Sequence, residues 1–139
     1  MDHSIVFFLA AIIIVGAIIL GIITFHKKGA SRLNVEHYRT KCLEIEHQLK
    51  PDEPSSYHLS VINADKLVDQ AMRERGLKGE TMGERMKNGV ALFSDRNGIW
   101  TAHKLRNVIV HEPDASVTYD QAKNALGCFR KALKDLGAI

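Results

Sequence analysis

Hydrophobic residues follow two different patterns along this chain. Residues 5–25 form an uninterrupted run of 21 residues without a charge, and Thr24 is its only polar side chain. At about 1.5 Å per residue, a helix of this length spans the ~30 Å hydrocarbon core of a bilayer. After residue 33, apolar residues recur every three or four positions, which is typical of amphipathic helices. The pattern predicts one transmembrane helix followed by a helical domain.

A cleaved signal peptide is the alternative explanation for residues 5–25. Such peptides carry positive charge before an apolar region of about 7–15 residues and end in an Ala-x-Ala cleavage site. Here no Lys or Arg precedes the run, the run is longer, and no Ala-x-Ala sequence closes it. The sequence therefore favours a permanent membrane anchor.

The flanks of the run predict its orientation. Asp2 and His3 precede it, whereas Lys27, Lys28 and Arg32 follow it. Positive charge is retained on the cytoplasmic side of membrane helices. We therefore expect a single-pass membrane protein with its N-terminus outside and its C-terminal domain in the cytoplasm.

Two helices are predicted in the first half of the domain. The second of them is capped by Ser55 or Ser56, runs to about Arg75 and closes at Gly76. The first ends before Pro51, which cannot continue a helix. Its apolar seam consists of Val35, Tyr38, Cys42, Ile45 and Leu49.

Three more helices are predicted in the second half. A capping box is a Thr followed three positions later by Glu or Gln, whose side chains satisfy each other's backbone N–H groups. This pattern predicts a short helix over residues 82–93 and a last helix that ends at Gly137. Between them, residues 99–112 form a helix that stops before Pro113. The two capping boxes are Thr81 with Glu84 and Thr118 with Gln121.

The fold class that follows is all-α in two parts. Residues 1–32 are the transmembrane anchor and a basic linker, and residues 33–139 are a bundle of about four helices plus one short helix. About 110 residues suffice for a single core. The formal net charge of +3 is mild, so it permits an anionic partner without demanding one.

Cysteine and histidine usage gives no sign of a metal site. Cys42 and Cys128 fit neither a zinc spacing nor a disulfide framework, and both fall at apolar helical positions, where we expect buried thiols. His103 and His111 are two helical turns apart, which is too far to share one ion. We expect no metal and no cofactor.

An arginine lies on the packing face of the helix over residues 99–112. At 100° per residue, Arg106 falls within the apolar arc of this helix. An arginine in such a position is costly unless a carboxylate pairs with it. Asp65 and Asp69, one turn apart on the second helix, are the predicted partners. The apolar arc consists of Ile99, Ala102, Leu105, Ile109 and Val110.

A polar stripe runs along the edge of the same arc. His103, Asn107 and His111 follow one another at intervals of four residues. His111 lies in the last turn, where a cationic side chain can simply cap the free carbonyls. Its alternative role is proton transfer, with Asn107 orienting the ring. His103 is a weaker candidate for substrate binding, and we expect it to be a half-exposed helix residue.

The sequence Arg-Asn-Val-Ile-Val-His at residues 106–111 resembles the signature of the HEPN domain superfamily. That signature is an Arg and a His separated by four to six residues, of which the first is usually polar. The resemblance covers roughly residues 34–139. It implies a small helical bundle with the motif on a late helix. Many such domains are metal-independent ribonucleases that work as homodimers.

The resemblance also implies roles for the motif residues. Arg106 would bind and stabilise the scissile phosphate, and His111 would transfer a proton at the ribose 2′-OH or the 5′-oxygen. Both would contribute to a composite site across the dimer, acting on single-stranded RNA.

A second class of function stays open. The family also contains members without catalysis, and this chain carries an anchor and little excess charge. It could instead be a non-catalytic, membrane-anchored helical module that binds a protein partner or a nucleotide and dimerises. The basic residues between positions 73 and 87 are interleaved with acids, and we expect them to form solvated surface.

Overall fold

The computed structural model describes residues 3–26 and 32–139, and every regular element in them is helical. This confirms the predicted all-α class. Two compact units are distinguished, residues 1–31 and 32–139. The α-helices are α1 (His3–His26), α2 (Val35–Gln48), α3 (Pro54–Glu74), α4 (Met82–Asn88), α5 (Arg96–His111) and α6 (Tyr119–Asp135).

Helix α1 is long and apolar enough to cross a membrane, with the candidate span at His3–Ile22. Its side chains in this span are almost all exposed within its own unit. A helix that is apolar on all sides has the composition expected of a membrane span. The predicted basic linker lies mostly outside the described residues, because residues 27–31 are not among them.

The second unit is a bundle built around α3, which packs against α2, α5 and α6. Fully burying a Val, Leu or Phe side chain stabilises a fold by roughly 1.5–3 kcal/mol, and the bundle core contains many such groups. The largest apolar side chains that are almost completely buried are Tyr38, Phe129, Met72, Met86, Ile99, Leu133, Leu136, Val61 and Val68.

The helix ends agree with most of the predicted signals. Both capping boxes are present, with Thr81 and Thr118 accepting from the backbone N–H three residues on. Gly76 has φ 86° and Gly137 has φ 71°. These left-handed conformations end α3 and α6 at little steric cost, because glycine has no Cβ.

Three predicted boundaries were wrong. Neither Ser55 nor Ser56 caps α3, because the helix begins earlier, at Pro54, and the Ser56 hydroxyl donates to the Glu53 carbonyl. Helix α4 ends at Asn88 and is followed by a 3₁₀ turn over Val90–Leu92. Helix α5 begins at Arg96 because the Asp95 side chain caps it by accepting from the Gly98 N–H.

Burial also departs from the predicted apolar faces in three places. Val35 is exposed at the start of α2, and Val110 is 52 % exposed near the end of α5. Cys42 is buried as expected, but Cys128 is only partly so. The first two positions lie in end turns, where a helix has fewer neighbours to pack against.

Candidate functional site

A buried carboxylate joins α3 to α5. Asp65 is 1 % exposed, and its two oxygens have different partners. Oδ1 lies 2.7 Å from Nδ1 of His103, and Oδ2 accepts a 2.7 Å hydrogen bond from Nε of Arg106. A buried carboxylate is costly unless it is paired and hydrogen-bonded. Asp65 meets both conditions, and so fixes the two side chains that reach it.

The local sequence explains why these groups meet. His103 and Arg106 are three residues apart, so they lie on neighbouring turns of α5 and can straddle one carboxylate. Ile99 and Ala102, which are buried, seat this part of α5 in the core. Position 65 belongs to the buried face of α3, which brings its short side chain directly opposite.

His103 corrects one expectation from the sequence. It is 8 % exposed rather than half-exposed, and the Trp100 ring meets it edge-on with ring centroids 6.3 Å apart. The burial follows from its bond to Asp65, which replaces the water that a polar ring would otherwise need. Its predicted role in substrate binding stays a prediction, although so buried a ring offers little surface to a ligand.

Arg106 is held from two sides but is not enclosed. Besides the bond to Asp65, its NH1 group donates to Oδ1 of Asn107 at 2.8 Å. Its side chain is still 29 % exposed. Its NH2 group has no hydrogen-bond partner among the residues that the structure describes, and the two bonds fix the direction in which this group can donate to an anion.

Asp69, the second predicted partner of Arg106, has other contacts. Its Oδ1 accepts from both Nε and NH2 of Arg85, at 2.8 and 2.6 Å, and its Oδ2 accepts from Arg73. Arg85 is 4 % exposed, so the expectation that this basic cluster is entirely solvated surface was wrong. Asp69 therefore supports the contact between α3 and α4 instead of the Arg106 site.

Arg85 could have been noticed from the sequence. It lies four residues after Thr81 on a short helix and shares its apolar phase with Met82 and Met86. An arginine in that phase needs a partner for the same reason that Arg106 does. The interleaved glutamates obscured this signal.

His111 is the last residue of α5 and is exposed. Among the residues that the structure describes, its ring has no hydrogen-bond partner. Five residues at about 100° each place it roughly 140° around the helix from Arg106. One small anion therefore meets either Arg106 or His111 of a given chain far more easily than both.

The surface around these groups is mixed in character. Asn107 is partly buried, while Val108 and Val110 are exposed beside His111. Among the described residues, no group of three or more His, Cys, Asp or Glu side chains is placed to hold a metal ion. The chemistry available at this end of α5 is a fixed guanidinium, an amide and an accessible imidazole.

Comparison with known protein families, with curated proteins and with solved structures found no match to this chain.

Proposed function

We propose that this protein is a membrane-anchored, HEPN-like endoribonuclease that cleaves single-stranded RNA without a metal. The observation that supports it best is the state of Arg106. Its guanidinium is fixed by Asp65 and Asn107 and yet remains partly exposed. Donors that are oriented in advance stabilise a developing negative charge better than mobile ones.

The proposed reaction is an internal phosphoryl transfer. His111 removes the proton of a ribose 2′-OH, and the 2′-oxygen attacks the adjacent phosphorus. The bond from phosphorus to the 5′-oxygen breaks, and that oxygen takes up a proton as it leaves. The products are a 2′,3′-cyclic phosphate and a 5′-hydroxyl end. Arg106 stabilises the charge on the phosphoryl oxygens during the transfer.

Two copies of the chain would make the site complete. Because Arg106 and His111 of one chain point about 140° apart, a phosphate bound to the guanidinium of one copy is best reached by the imidazole of another. The exposed Val108 and Val110 beside His111 supply apolar surface for such a contact. The proposed assembly is therefore a homodimer in which both α5 helices contribute.

We further propose that the anchor holds residues 32–139 on the cytoplasmic side of the membrane. The proposal depends on the charges after the apolar run, where Lys27, Lys28 and Arg32 follow one another closely, because positive charge is retained on the cytoplasmic side of membrane helices. The test is labelling of intact cells with an impermeant thiol reagent, in a background with Cys42→Ser and Cys128→Ser. Asp2→Cys should be labelled and Lys50→Cys should not; the reverse result would invert the topology.

The activity is tested with the full chain in a neutral detergent, with EDTA and a labelled single-stranded RNA. His111→Ala should reduce the cleavage rate by about 10²–10⁴-fold, the usual contribution of a proton-transfer group. Because His111 is exposed, this change should not alter stability. His47→Ala, at another exposed histidine, is the matched control and should cleave like the wild type.

Arg106 needs a gentler substitution, because Arg106→Ala would leave Asp65 without one of its partners. Arg106→Lys keeps the charge but loses the planar fork, and it should lower the cleavage rate while the protein stays folded. Equal cleavage by wild type, His111→Ala and Arg106→Lys would exclude the proposed mechanism.

The second candidate is a non-catalytic anchored module that binds a protein partner or a nucleotide. Two observations favour this candidate. Arg106 pairs with Asp65, which is a structural role that requires no catalysis. His111 has no partner among the described residues that would orient its ring. A folded, dimeric wild type that leaves RNA intact would favour this candidate.

A further inference from the structure

A cavity of about 230 Å³ lies between α2 and the end of α6, and none of the residues of the site described above lines it. It is smaller than the ~300–1,000 Å³ of pockets that enclose drug-sized ligands, so its occupant would be a small group. Its lining residues are Arg39, Cys42, Leu43, Arg130, Lys134 and Ile139.

Three cationic side chains converge on this cavity from two helices. Arg130 is already engaged, because its NH1 group lies 2.7 Å from both carboxylate oxygens of Glu46. Arg39 and Lys134 are exposed and form no ion pair with any residue that the structure describes. None of the side chains that line the cavity is a carboxylate, so Arg39 and Lys134 are its two cationic side chains without a carboxylate partner among the described residues.

The remaining lining is apolar. Leu43 is 43 % exposed, although it is a large aliphatic residue. The buried Cys42 also lines the cavity, and burial, followed by the nearby Glu46 carboxylate, raises the pKa of its thiol. The sulfur is therefore protonated at neutral pH and neither repels an anion nor acts as a thiolate. A cavity lined by both cationic and apolar side chains suits an anion that carries a hydrocarbon part.

We infer that this cavity binds a phosphate-bearing anion between Arg39 and Lys134. An arginine offers a planar fork to phosphate oxygens, and a lysine adds a compact charge. Two sources of such a group exist, a lipid headgroup and a free phosphate compound.

The lipid source is favoured if α1 is the anchor proposed above, because basic side chains of a membrane-anchored protein are attracted to anionic headgroups. In the sequence, only eight residues separate the end of α1 at His26 from the start of α2 at Val35.

The test is thermal unfolding of the full chain in a neutral detergent, followed by the fluorescence of Trp100, which lies outside the cavity. The ligands are inorganic phosphate and a soluble short-chain phosphatidic acid. A ligand that binds the folded state raises the midpoint as its concentration rises. Three proteins are compared: wild type, Arg39→Gln with Lys134→Gln, and Arg96→Gln with Lys104→Gln.

The last double variant is a matched control, since it removes one Arg and one Lys that are also exposed. The cavity variant should bind on the order of thirtyfold more weakly, if each cation contributes about 1 kcal/mol. The control should bind like the wild type. Phosphate also stabilises proteins by exclusion from their surface. Therefore only the part of the midpoint shift that disappears in the cavity variant is attributed to binding.

The possible outcomes distinguish the two sources of the phosphate group from each other and from the case in which the cavity binds no phosphate. A shift that saturates at much lower concentrations of phosphatidic acid than of phosphate identifies a lipid headgroup, and equal potency identifies a free phosphate group. Absence of any shift, or equal shifts in all three proteins, would overturn the inference. A loss that is the same in both double variants would overturn it too, because it would reflect net charge alone. None of these results depends on RNA cleavage.

Discussion

At the scale of single residues, Asp65 determines how α3 and α5 meet. Its carboxylate is the common partner of His103 and Arg106 and is almost completely buried. Replacing it with Asn keeps the shape but removes the charge that both partners require. Because Arg106 is partly exposed, water can solvate its guanidinium once the carboxylate is removed, which reduces the destabilisation. We expect Asp65→Asn to lower the free energy of unfolding by about 2–3 kcal/mol.

Urea unfolding at neutral pH measures this change, and Asp114→Asn is its control. Asp114 is an exposed carboxylate with no partner among the described residues, so its loss should leave stability within about 0.5 kcal/mol of the wild type. An equally small effect of Asp65→Asn would mean that the buried network contributes specificity rather than stability.

Tyr38 gives a second prediction at this scale. Its ring is completely buried, and its hydroxyl meets no hydrogen-bond partner in good geometry among the described residues. Burial and the nearby Glu74 carboxylate raise the pKa of this hydroxyl far above its ordinary value. Above pH ~10 the unfolded chain loses this proton while the folded chain keeps it. Alkali therefore favours unfolding through Tyr38: the contribution of its protonated hydroxyl is unchanged below pH ~10 and is lost gradually as the pH rises toward the raised pKa of the folded state.

Tyr38→Phe should remove this effect. Near pH 7 the variant should be as stable as the wild type or slightly more stable, because an unsatisfied buried hydroxyl is lost. Above pH ~10 its advantage should grow with pH. Unfolding of both proteins at pH 7 and pH 11 measures the difference, which isolates Tyr38 from the other tyrosines. An advantage that does not change with pH would show that Tyr38 titrates normally.

The sequence predicted part of this residue-scale chemistry. It identified Arg106 as a cation on a packing face and named Asp65 as a partner, because an arginine in that phase needs a carboxylate. It did not distinguish Asp65 from Asp69, which are one helical turn apart and differ only in how α4 and α5 pack against α3. It also misjudged His103, because the burial of a polar ring depends on a partner 38 residues away.

At the scale of elements, the buried Arg85 side chain ties the short helix α4 to α3. Arg85 donates to Asp69 on α3 and also, through NH1, to the Gly79 carbonyl in the loop before α4. Seven residues are too few for an independent helix. We expect Arg85→Lys to release α4 and its flanking loop, because a lysine cannot make these directed bonds simultaneously.

Hydrogen exchange measures this local release. Residues 79–92 should exchange at least tenfold faster in Arg85→Lys, while the amides of α3 and α6 should stay close to wild type. Lys87→Gln, an exposed substitution on the same helix, is the control and should change neither region. Faster exchange throughout the bundle would mean that α4 is part of the main cooperative unit.

The sequence predicted the positions of the helices more accurately than the residues at which they begin and end. Every predicted helix exists, because apolar periodicity and capping boxes act within a few residues. The starts of α3 and α5 were missed because Pro54 opens one helix and Asp95 caps the other, and neither begins an apolar seam. Helix α4 stops at Asn88, since the chain turns there at Gly89, whose φ of −97° lies outside the α-helical range.

At the scale of the whole molecule, the two units differ in how much of their apolar surface they bury themselves. Helix α1 has almost no buried surface of its own, whereas residues 32–139 contain a continuous core that extends from Leu33 to Ala138. The proposed activity and the proposed phosphate site both belong to this second unit. In these proposals the first unit only determines where in the cell the second unit is held. It contributes no side chain to either site.

The last prediction concerns the separability of these units. Among the described residues, the core of residues 32–139 includes no side chain of α1, so we expect the protein without residues 1–31 to be soluble in the absence of detergent. Its helical circular dichroism should be strong, and its unfolding midpoint should lie within a few degrees of that of the full chain. The full chain should remain in the membrane after an alkaline carbonate wash and require detergent for extraction. If the shortened protein unfolds or aggregates, α1 contributes to the fold itself, and the anchor and the bundle are one structural unit.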